Sequence, residues 1–370
     1  MSHAFPLATA TPEALGFAPA PLAALERLIL RHLEEGRFPG CQIALARHGK
    51  LALARSYGEA RPGVRAADET LWLLYSNTKI LTMAAVWALL EDGQLSFSDR
   101  VADHLPEFAV RGKGDITLYD VTTHQAGYPS AVVSREAWAD HARMRAEVCE
   151  FSLEWTPGSR MHYHGLSAHY TLAMVIEAVT GLDYRDVIRQ LVIDPLGLGH
   201  ELKVGVPAAE QGRCADISAA PELNRVADNS AEFRSAGVPG GGGFGTARGM
   251  AAFYQMMLGQ GRLGDVRLLS PRLVGFVTRD FSGEQIDHYM GLPMHRGLGP
   301  HSRGRGPHAR GLGSLAPADT FGHGGIGSSY CWADPASGVS FAYITNHVAA
   351  DPWHSARMDR VSNLIHAAID

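Results

Sequence analysis

The sequence predicts an α+β fold in which an antiparallel sheet, flanked by helices and formed from both termini, carries an all-helical insertion. One β-hairpin pattern lies near each end of the 370 residues, and the clearest patterns between them are helical. Hydrophobic residues make up 46% of the chain and charged residues 19%, so there is enough apolar material for a large core and too little charge for a disordered chain.

The N-terminal part begins with a predicted helix over residues 21–35, where leucine and isoleucine recur on one face and Gly36 follows as a stop. Two short apolar runs then flank His48-Gly49-Lys50, a pattern typical of a β-hairpin. Helical periodicity dominates the middle of the chain, over residues 80–91, 166–179, 184–192 and 250–258.

The C-terminal part contains a second hairpin, with strands predicted at 328–334 and 339–346, and a final helix over 355–369. We therefore expect a discontinuous mixed α/β domain from residues 1–75 and 262–370, a mainly helical domain from 76–261, and the functional site between them. Residues 295–310 are rich in glycine, arginine and histidine and are predicted to form a long surface loop.

Composition excludes several functional classes. The net charge of −5 does not indicate a nucleic-acid binder, and no apolar run approaches the length of about 20 residues that a membrane helix needs. The four cysteines are far apart, so we expect buried free thiols rather than a metal site. The N-terminus lacks the pattern of a signal peptide, which favours a cytoplasmic protein. Residues 240–245 satisfy G-x-G-x-x-G without a clear preceding strand, so we expect no cofactor.

The strongest chemical motif is Ser76-Asn77-Thr78-Lys79 at the head of an apolar helix. Lysine is scarce, because only four of the 33 basic residues are Lys. Side chains three residues apart share a helix face, so Lys79 can reach the Ser76 hydroxyl. Burial favours a neutral lysine, and a serine hydroxyl needs a neighbour that takes its proton before it becomes a good nucleophile. S-x-x-K also occurs by chance, but here it occurs once and with a scarce Lys.

Two further segments are candidates for the same site. Tyr163 lies where a turn-forming loop meets a helix, and a phenol near an ammonium loses its proton more easily and can act as a base; a packing tyrosine is the plain alternative. His323-Gly324-Gly325 leads into a predicted strand, and a backbone N–H just past Gly325 would form an oxyanion hole with that of Ser76; a glycine-rich turn is the alternative here.

These three segments, in this order, resemble the serine β-lactamase and penicillin-binding-protein superfamily, and among its branches the class C β-lactamases and family VIII carboxylesterases. The resemblance implies that Ser76 is the acylated nucleophile, Lys79 its proton partner and Tyr163 the base toward the serine and the acid toward the leaving group. It places Ile326 as the second oxyanion donor. The resemblance covers nearly the whole chain, with further similar segments at 38–40, 115–127 and 238–243.

Two positions depart from the β-lactamase pattern. The tyrosine motif Tyr-x-Asn reads Tyr163-His164-Gly165, and His323 stands where β-lactamases have the lysine of Lys-Thr-Gly. Both departures favour a carboxylesterase acting on small-molecule esters. The alternatives are an amide hydrolase (a β-lactamase or D-amino-acid peptidase), an acyltransferase, and a non-catalytic binding protein. The arginines and histidines of 295–310, namely Arg296, Arg303, Arg305, Arg310, His295, His301 and His308, suggest a preference for carboxylate or phosphate substrates if they border the pocket; a solvated loop is the alternative.

Overall fold

The computed structural model describes residues 5–220, 223–307 and 311–370. Its strands are β1 Ala8–Thr9, β2 Gly40–Arg47, β3 Lys50–Arg61, β4 Val64–Arg65, β5 Trp72–Leu73, β6 Leu202–Val204, β7 Ser218–Ala219, β8 Gly243–Gly245, β9 Arg262–Leu263, β10 Val266–Arg267, β11 Ile286–Asp287, β12 Leu292–Pro293, β13 His301–Ser302, β14 Phe321–Gly325, β15 Ser329–Asp334, β16 Val339–Thr345 and β17 His347–Val348. Its helices are α1 Pro19–Glu34, α2 Thr78–Glu91, α3 Val101–His104, α4 Leu118–Thr122, α5 His141–Cys149, α6 Ser167–Thr180, α7 Tyr184–Ile188, α8 Ala231–Ala236, α9 Ala247–Leu258, α10 Pro271–Val277 and α11 Trp353–His366.

The main sheet joins the two ends of the chain. Its strand order is β1-β3-β2-β16-β15-β14-β13, with β4 on β3. The N-terminal strand β2 pairs antiparallel with the C-terminal strand β16 over seven residue pairs. The short β1 is the parallel exception beside β3. The predicted α+β fold is confirmed, and both expected hairpins are present as β2–β3 and β15–β16.

The central strands are buried because helices cover both faces of the sheet. Alternate residues Ile43 and Phe341 pack with α1 and α11 in one core, whereas Ala44 and Ala342 belong to the core on the other face, where α9 lies. Successive strand residues point to opposite faces of the sheet. A strand that is covered on both faces therefore has a continuous run of apolar residues in its sequence.

The middle of the chain is helical around α2, which packs against α6 and α7. It also contains a small sheet in the order β5-β8-β6, a local difference from the expected all-helical insertion. There the Gly243 N–H donates to Thr78 Oγ1 (2.8 Å), so this sheet is tied to the start of α2. Although α9 lies within residues 76–261, it packs on the main sheet. The division into two domains stays a prediction.

The expectation of a surface loop over 295–310 is wrong for its first part. His295, Arg296 and His301 are 7%, 3% and 4% exposed, and β13 adds an edge strand to the main sheet. The composition did not reveal this burial because the polar groups have partners inside the fold. His295 Nδ1, for example, lies 2.8 Å from Asp280 Oδ2. Of the described helices, none has the length and apolarity required to cross a bilayer. His308 and Arg310 lie outside the described residues.

Candidate functional site

Ser76 lies in a tight turn directly before α2. The turn is a 3₁₀ helix over Tyr75–Asn77, and Tyr75 has a φ of 45°, in the left-handed region that costs energy for a residue with a side chain. The Tyr75 hydroxyl donates to Asp228 Oδ2 (2.7 Å), and this hydrogen bond anchors the turn to the segment that contains Asp228. Ser76 is half-buried directly before α2, most of whose residues are buried.

Lys79 is fully buried one helical turn after Ser76. Its Nζ lies 3.1 Å from Ser76 Oγ and donates to the Gly240 carbonyl at 2.5 Å. Burial lowers the pKa of Lys79 well below its ordinary value, and the nearby positive charge of Arg296 lowers it further. Both effects favour the neutral amine, which can accept a proton from Ser76. The structure brings together the pair that the sequence predicted.

Tyr163 lies beside Ser76, and its side chain forms a hydrogen bond with the serine side chain. Lys79 Nζ is 5.2 Å from the centroid of the tyrosine ring. Burial raises the pKa of Tyr163 to about 12, against the smaller lowering by Ser76 and Arg296. The expectation that Tyr163 loses its proton easily is not supported, because burial, the largest effect on this group, disfavours the charged phenolate.

A buried ion pair supports Tyr163, and sequence reasoning missed it. Arg296 and Asp287 form a charge-assisted contact, and both are almost completely inaccessible to solvent. Asp287 Oδ1 accepts from the Tyr163 N–H (3.1 Å), while the Arg296 guanidinium lies 4.9 Å from the centroid of the Tyr163 ring. The pair fixes both the backbone and the ring of Tyr163. Asp287 carries no sequence signal that distinguishes it from a surface aspartate.

Strand β14 carries His323, Gly324 and Gly325 past the Ser76 turn. The strand contacts the turn, and a Cβ added to Gly325 would meet the Leu74 carbonyl oxygen at 2.6 Å, so glycine permits this close approach. His323 is buried, and burial followed by the effect of Lys79 lowers its pKa to about 3. Partial protonation of His323 at neutral pH, which the sequence suggested, is therefore not supported. Ile326 follows β14 with an exposed side chain.

Asn77, inside the S-x-x-K motif, clamps the turn to β14. In the orientation that satisfies both ends of its amide, its nitrogen donates to the His323 carbonyl (2.6 Å) and its oxygen accepts from the Gly325 N–H (3.3 Å). The amide is completely buried. Because it bridges the two segments that would provide the oxyanion donors, Asn77 sets their separation.

Several histidines surround the catalytic candidates. The His124 ring lies 4.8 Å from that of Tyr163, and His124 Nδ1 accepts from the His164 N–H (3.2 Å). His164 points away from the pocket, since its Nε2 accepts from the Tyr128 N–H (3.2 Å). Gly165 faces open space, because a Cβ there would meet no heavy atom within 4 Å.

A separate cluster presents metal-ligating atoms at the far end of α6. Ligand atoms of His141, Glu177 and Asp183 lie within 4.8 Å of one another. His141 Nδ1 already contacts Glu177 Oε1 (2.6 Å), and both carboxylate oxygens of Asp183 bind Arg185. Both carboxylates therefore already have partners in His141 and Arg185, and we assign no metal to this cluster.

Comparison with known proteins identifies the family of this chain. The profile of the beta-lactamase family matches residues 25–361. The esterase/beta-lactamase LipL of Mycobacterium tuberculosis is 27% identical over 310 residues, which cover 75% of this chain and 69% of that protein. Two solved structures are similar over 95% of this chain. They are a penicillin-binding protein homologue from Caulobacter crescentus (TM-score 0.83, 25% identity, 99% of that chain) and a family VIII carboxylesterase (TM-score 0.82, 26% identity, 98% of that chain).

The family match spans most of the chain, and the similar structures share its architecture from the N-terminal helix to the C-terminal one. The chain belongs to the beta-lactamase family of serine hydrolases.

Proposed function

We propose that this protein is a carboxylesterase that acts on small esters through an acyl-enzyme on Ser76. The observation that carries the proposal is the contact between Ser76 Oγ and a completely buried lysine amine 3.1 Å away. A neutral amine at this distance is a base within hydrogen-bond reach of the hydroxyl proton. The carboxylesterase and LipL similarities support the same reaction class.

The proton steps follow from the charges of the three groups. Lys79 takes the Ser76 proton as Oγ attacks the ester carbonyl, and the N–H groups of Ser76 and Ile326 stabilise the oxyanion. Tyr163, protonated at neutral pH, donates its proton to the leaving alkoxide and recovers one from Lys79. Water then attacks the acyl-enzyme and its proton passes to the same relay, so that Ser76 is released with its proton restored.

Two features favour esters over β-lactam amides. Neither Gly165 nor His164 replaces the asparagine of Tyr-x-Asn, since Gly165 has no side chain and His164 Nε2 accepts from the Tyr128 N–H. His323 offers no positive charge to a substrate carboxylate, because its pKa of about 3 keeps it neutral. An amide nitrogen is also a poorer leaving group than an alkoxide. As an amide hydrolase, this site would therefore lack two of the contacts that β-lactamases make with their substrates.

We predict that kcat/KM for short-chain nitrophenyl esters exceeds that for a chromogenic cephalosporin by about tenfold or more, since each missing substrate hydrogen bond costs about 0.5–1.5 kcal/mol. A matched variant, Gly165→Asn, restores the missing amide in a position with room for it and is expected to narrow the difference. Steady-state kinetics on both substrates checks this. A kcat/KM for the cephalosporin equal to that for the best ester would favour the amide-hydrolase alternative over the carboxylesterase.

We also predict that Arg296 sets the acid limb of the pH profile. The Arg296 charge lowers the pKa of Lys79, so removing it raises that pKa and moves the rise of kcat/KM to higher pH. The double variant Arg296→Gln/Asp287→Asn removes the charge without leaving a buried unpaired carboxylate. Arg303→Gln is the control, because that guanidinium binds the carbonyls of Gly306 and Gly313. An acid limb that stays in place in the double variant would contradict the assignment.

The state of the four cysteines is relevant to the compartment in which the protein works. Cys41, Cys149, Cys214 and Cys331 are all buried and unpaired with one another. Free buried thiols are usual in reducing compartments, where disulfides do not persist. On this ground we retain the cytoplasm as the proposed location.

A further inference from the structure

Two buried histidines at the site carry ring nitrogens that the acyl-transfer steps do not use. His169 and His323 are 3% and 4% exposed. Among the described residues, neither nitrogen of His169 has a hydrogen-bond partner, and neither has Nε2 of His323. Buried polar groups are nearly always hydrogen-bonded, so three such atoms beside a reactive serine need an explanation.

Both histidines flank the nucleophile and its base. A Cβ built on Gly240 would lie 3.2 Å from His169 Cβ and 3.3 Å from Lys79 Nζ, so His169 and the lysine amine face each other across this glycine. The His323 ring lies 6.2 Å from the Tyr163 ring, on the β14 side. Gly165 lies just before α6, the helix that carries His169, and a Cβ added to this glycine would meet no heavy atom within 4 Å.

The two rings present lone pairs and one N–H group, without positive charge. His323 Nδ1 lies 2.8 Å from the Gly324 carbonyl, which only accepts, so Nδ1 carries the proton and Nε2 presents a lone pair. Neutral His169 offers one donor and one acceptor. Burial and the neighbouring Lys79 keep the pKa of both rings below the usual value, and the buried guanidinium of Arg296 is already paired with Asp287.

We propose that His169 and His323 form a recognition element that selects esters bearing a hydroxyl group and disfavours esters bearing a carboxylate. This inference rests on the proposed esterase function. A hydroxyl donates to a histidine lone pair and can accept from the His169 N–H. A carboxylate can only accept hydrogen bonds, so it would meet the lone pairs of the two rings. No unpaired cation among the described groups that face Lys79 would offset this repulsion. Those groups are Ser76, Tyr163, His124, His169, His323 and the paired Arg296.

The test uses isosteric ester pairs. On the acyl side, p-nitrophenyl 3-hydroxybutyrate is compared with p-nitrophenyl 3-methylbutyrate, and on the alcohol side 2-hydroxyethyl butyrate is compared with propyl butyrate. We expect the hydroxylated member of at least one pair to have a kcat/KM roughly three- to tenfold higher. We expect p-nitrophenyl hemisuccinate to be slower than both acyl-side esters.

The variants assign the preference to the rings. His169→Phe and His323→Phe keep an aromatic ring without nitrogens, and at least one of them is expected to reduce the hydroxyl preference to about unity. The matching Gln variant, which has both a donor and an acceptor, should restore part of it. His32→Phe is the control, because His32 is equally buried but lies on α1 against Trp353. If a Phe variant fails to fold, the proposal is tested by the Gln variant and by the ratios of kcat/KM between the paired substrates in the wild type.

The failures can be told apart. Equal rates within both pairs, a hemisuccinate rate equal to that of the hydroxyl ester, or a preference that survives in both Phe variants would overturn the recognition element alone. A protein that cleaves none of these esters and does not react with a serine-directed phosphonate would overturn the proposed esterase function, and this inference with it.

Discussion

Replacement of Ser76 by alanine is expected to reduce esterase activity by roughly 10³-fold or more while the fold survives. Ser76 is half-buried, and we propose that its contact with Lys79 Nζ (3.1 Å) activates it. Loss of the hydroxyl leaves the helix and the neighbouring apolar packing in place, because Asn77 and Tyr75 hold the turn through their own side chains. Turnover of a nitrophenyl ester and thermal unfolding of the same preparation provide the measurement.

The matched control is Ser270→Ala. Ser270 caps α10 and its N–H donates to Glu91 at the opposite end of α2 from Ser76. Loss of this cap is expected to cost about 1 kcal/mol of stability and no activity. Intact mass after treatment with a serine-directed phosphonate should show one adduct in the wild type and none in the Ser76 variant. A folded Ser76→Ala protein that retains near wild-type turnover would disprove the nucleophile, and labelling elsewhere would identify another one.

Much of the fold could be predicted because both ends of the chain carry local signals. The predicted helix over 21–35 is observed at Pro19–Glu34, and the predicted C-terminal strands are observed as β15 and β16. Periodicity and turn residues are properties of short segments, so a single sequence contains them. The same holds for S-x-x-K, since a helix fixes the spacing of Ser76 and Lys79 without help from the rest of the chain.

The parts that could not be predicted depend on contacts between distant segments. Asp287 and Arg296 lie more than a hundred residues after Tyr163, yet they hold its backbone and its ring. Nothing local distinguishes this buried arginine from the exposed Arg305 in the same stretch. The protonation states were also beyond the sequence, since the pKa values of Lys79, Tyr163 and His323 are shifted mainly by burial, a property of the folded chain.

Lys79→Ala and Tyr163→Phe are each expected to lower kcat/KM by about 10²–10⁴-fold, with the double variant little worse than the worse single one. In the proposed mechanism the two groups act on one proton path, so that removing either interrupts it. Lys113→Ala and Tyr128→Phe are the matched controls. Lys113 is the other buried lysine, donating to the Val110 carbonyl, and Tyr128 is a buried tyrosine bonded to Thr171.

The pH profile separates the roles of the two residues. If Lys79 is the base, kcat/KM rises with pH as the lysine loses its proton, at a pKa well below the ordinary lysine value, and the activity that remains in Lys79→Ala lacks this rise. If Tyr163 were the base in the free enzyme, the rate would keep rising toward pH 12, where its phenol ionises. A rise of that kind that disappears in Tyr163→Phe would transfer the base role to the tyrosine. A Tyr163→Phe enzyme with an unaltered rate would show instead that Lys79 alone carries the proton, because the phenylalanine ring preserves the packing against Arg296 and removes only the hydroxyl.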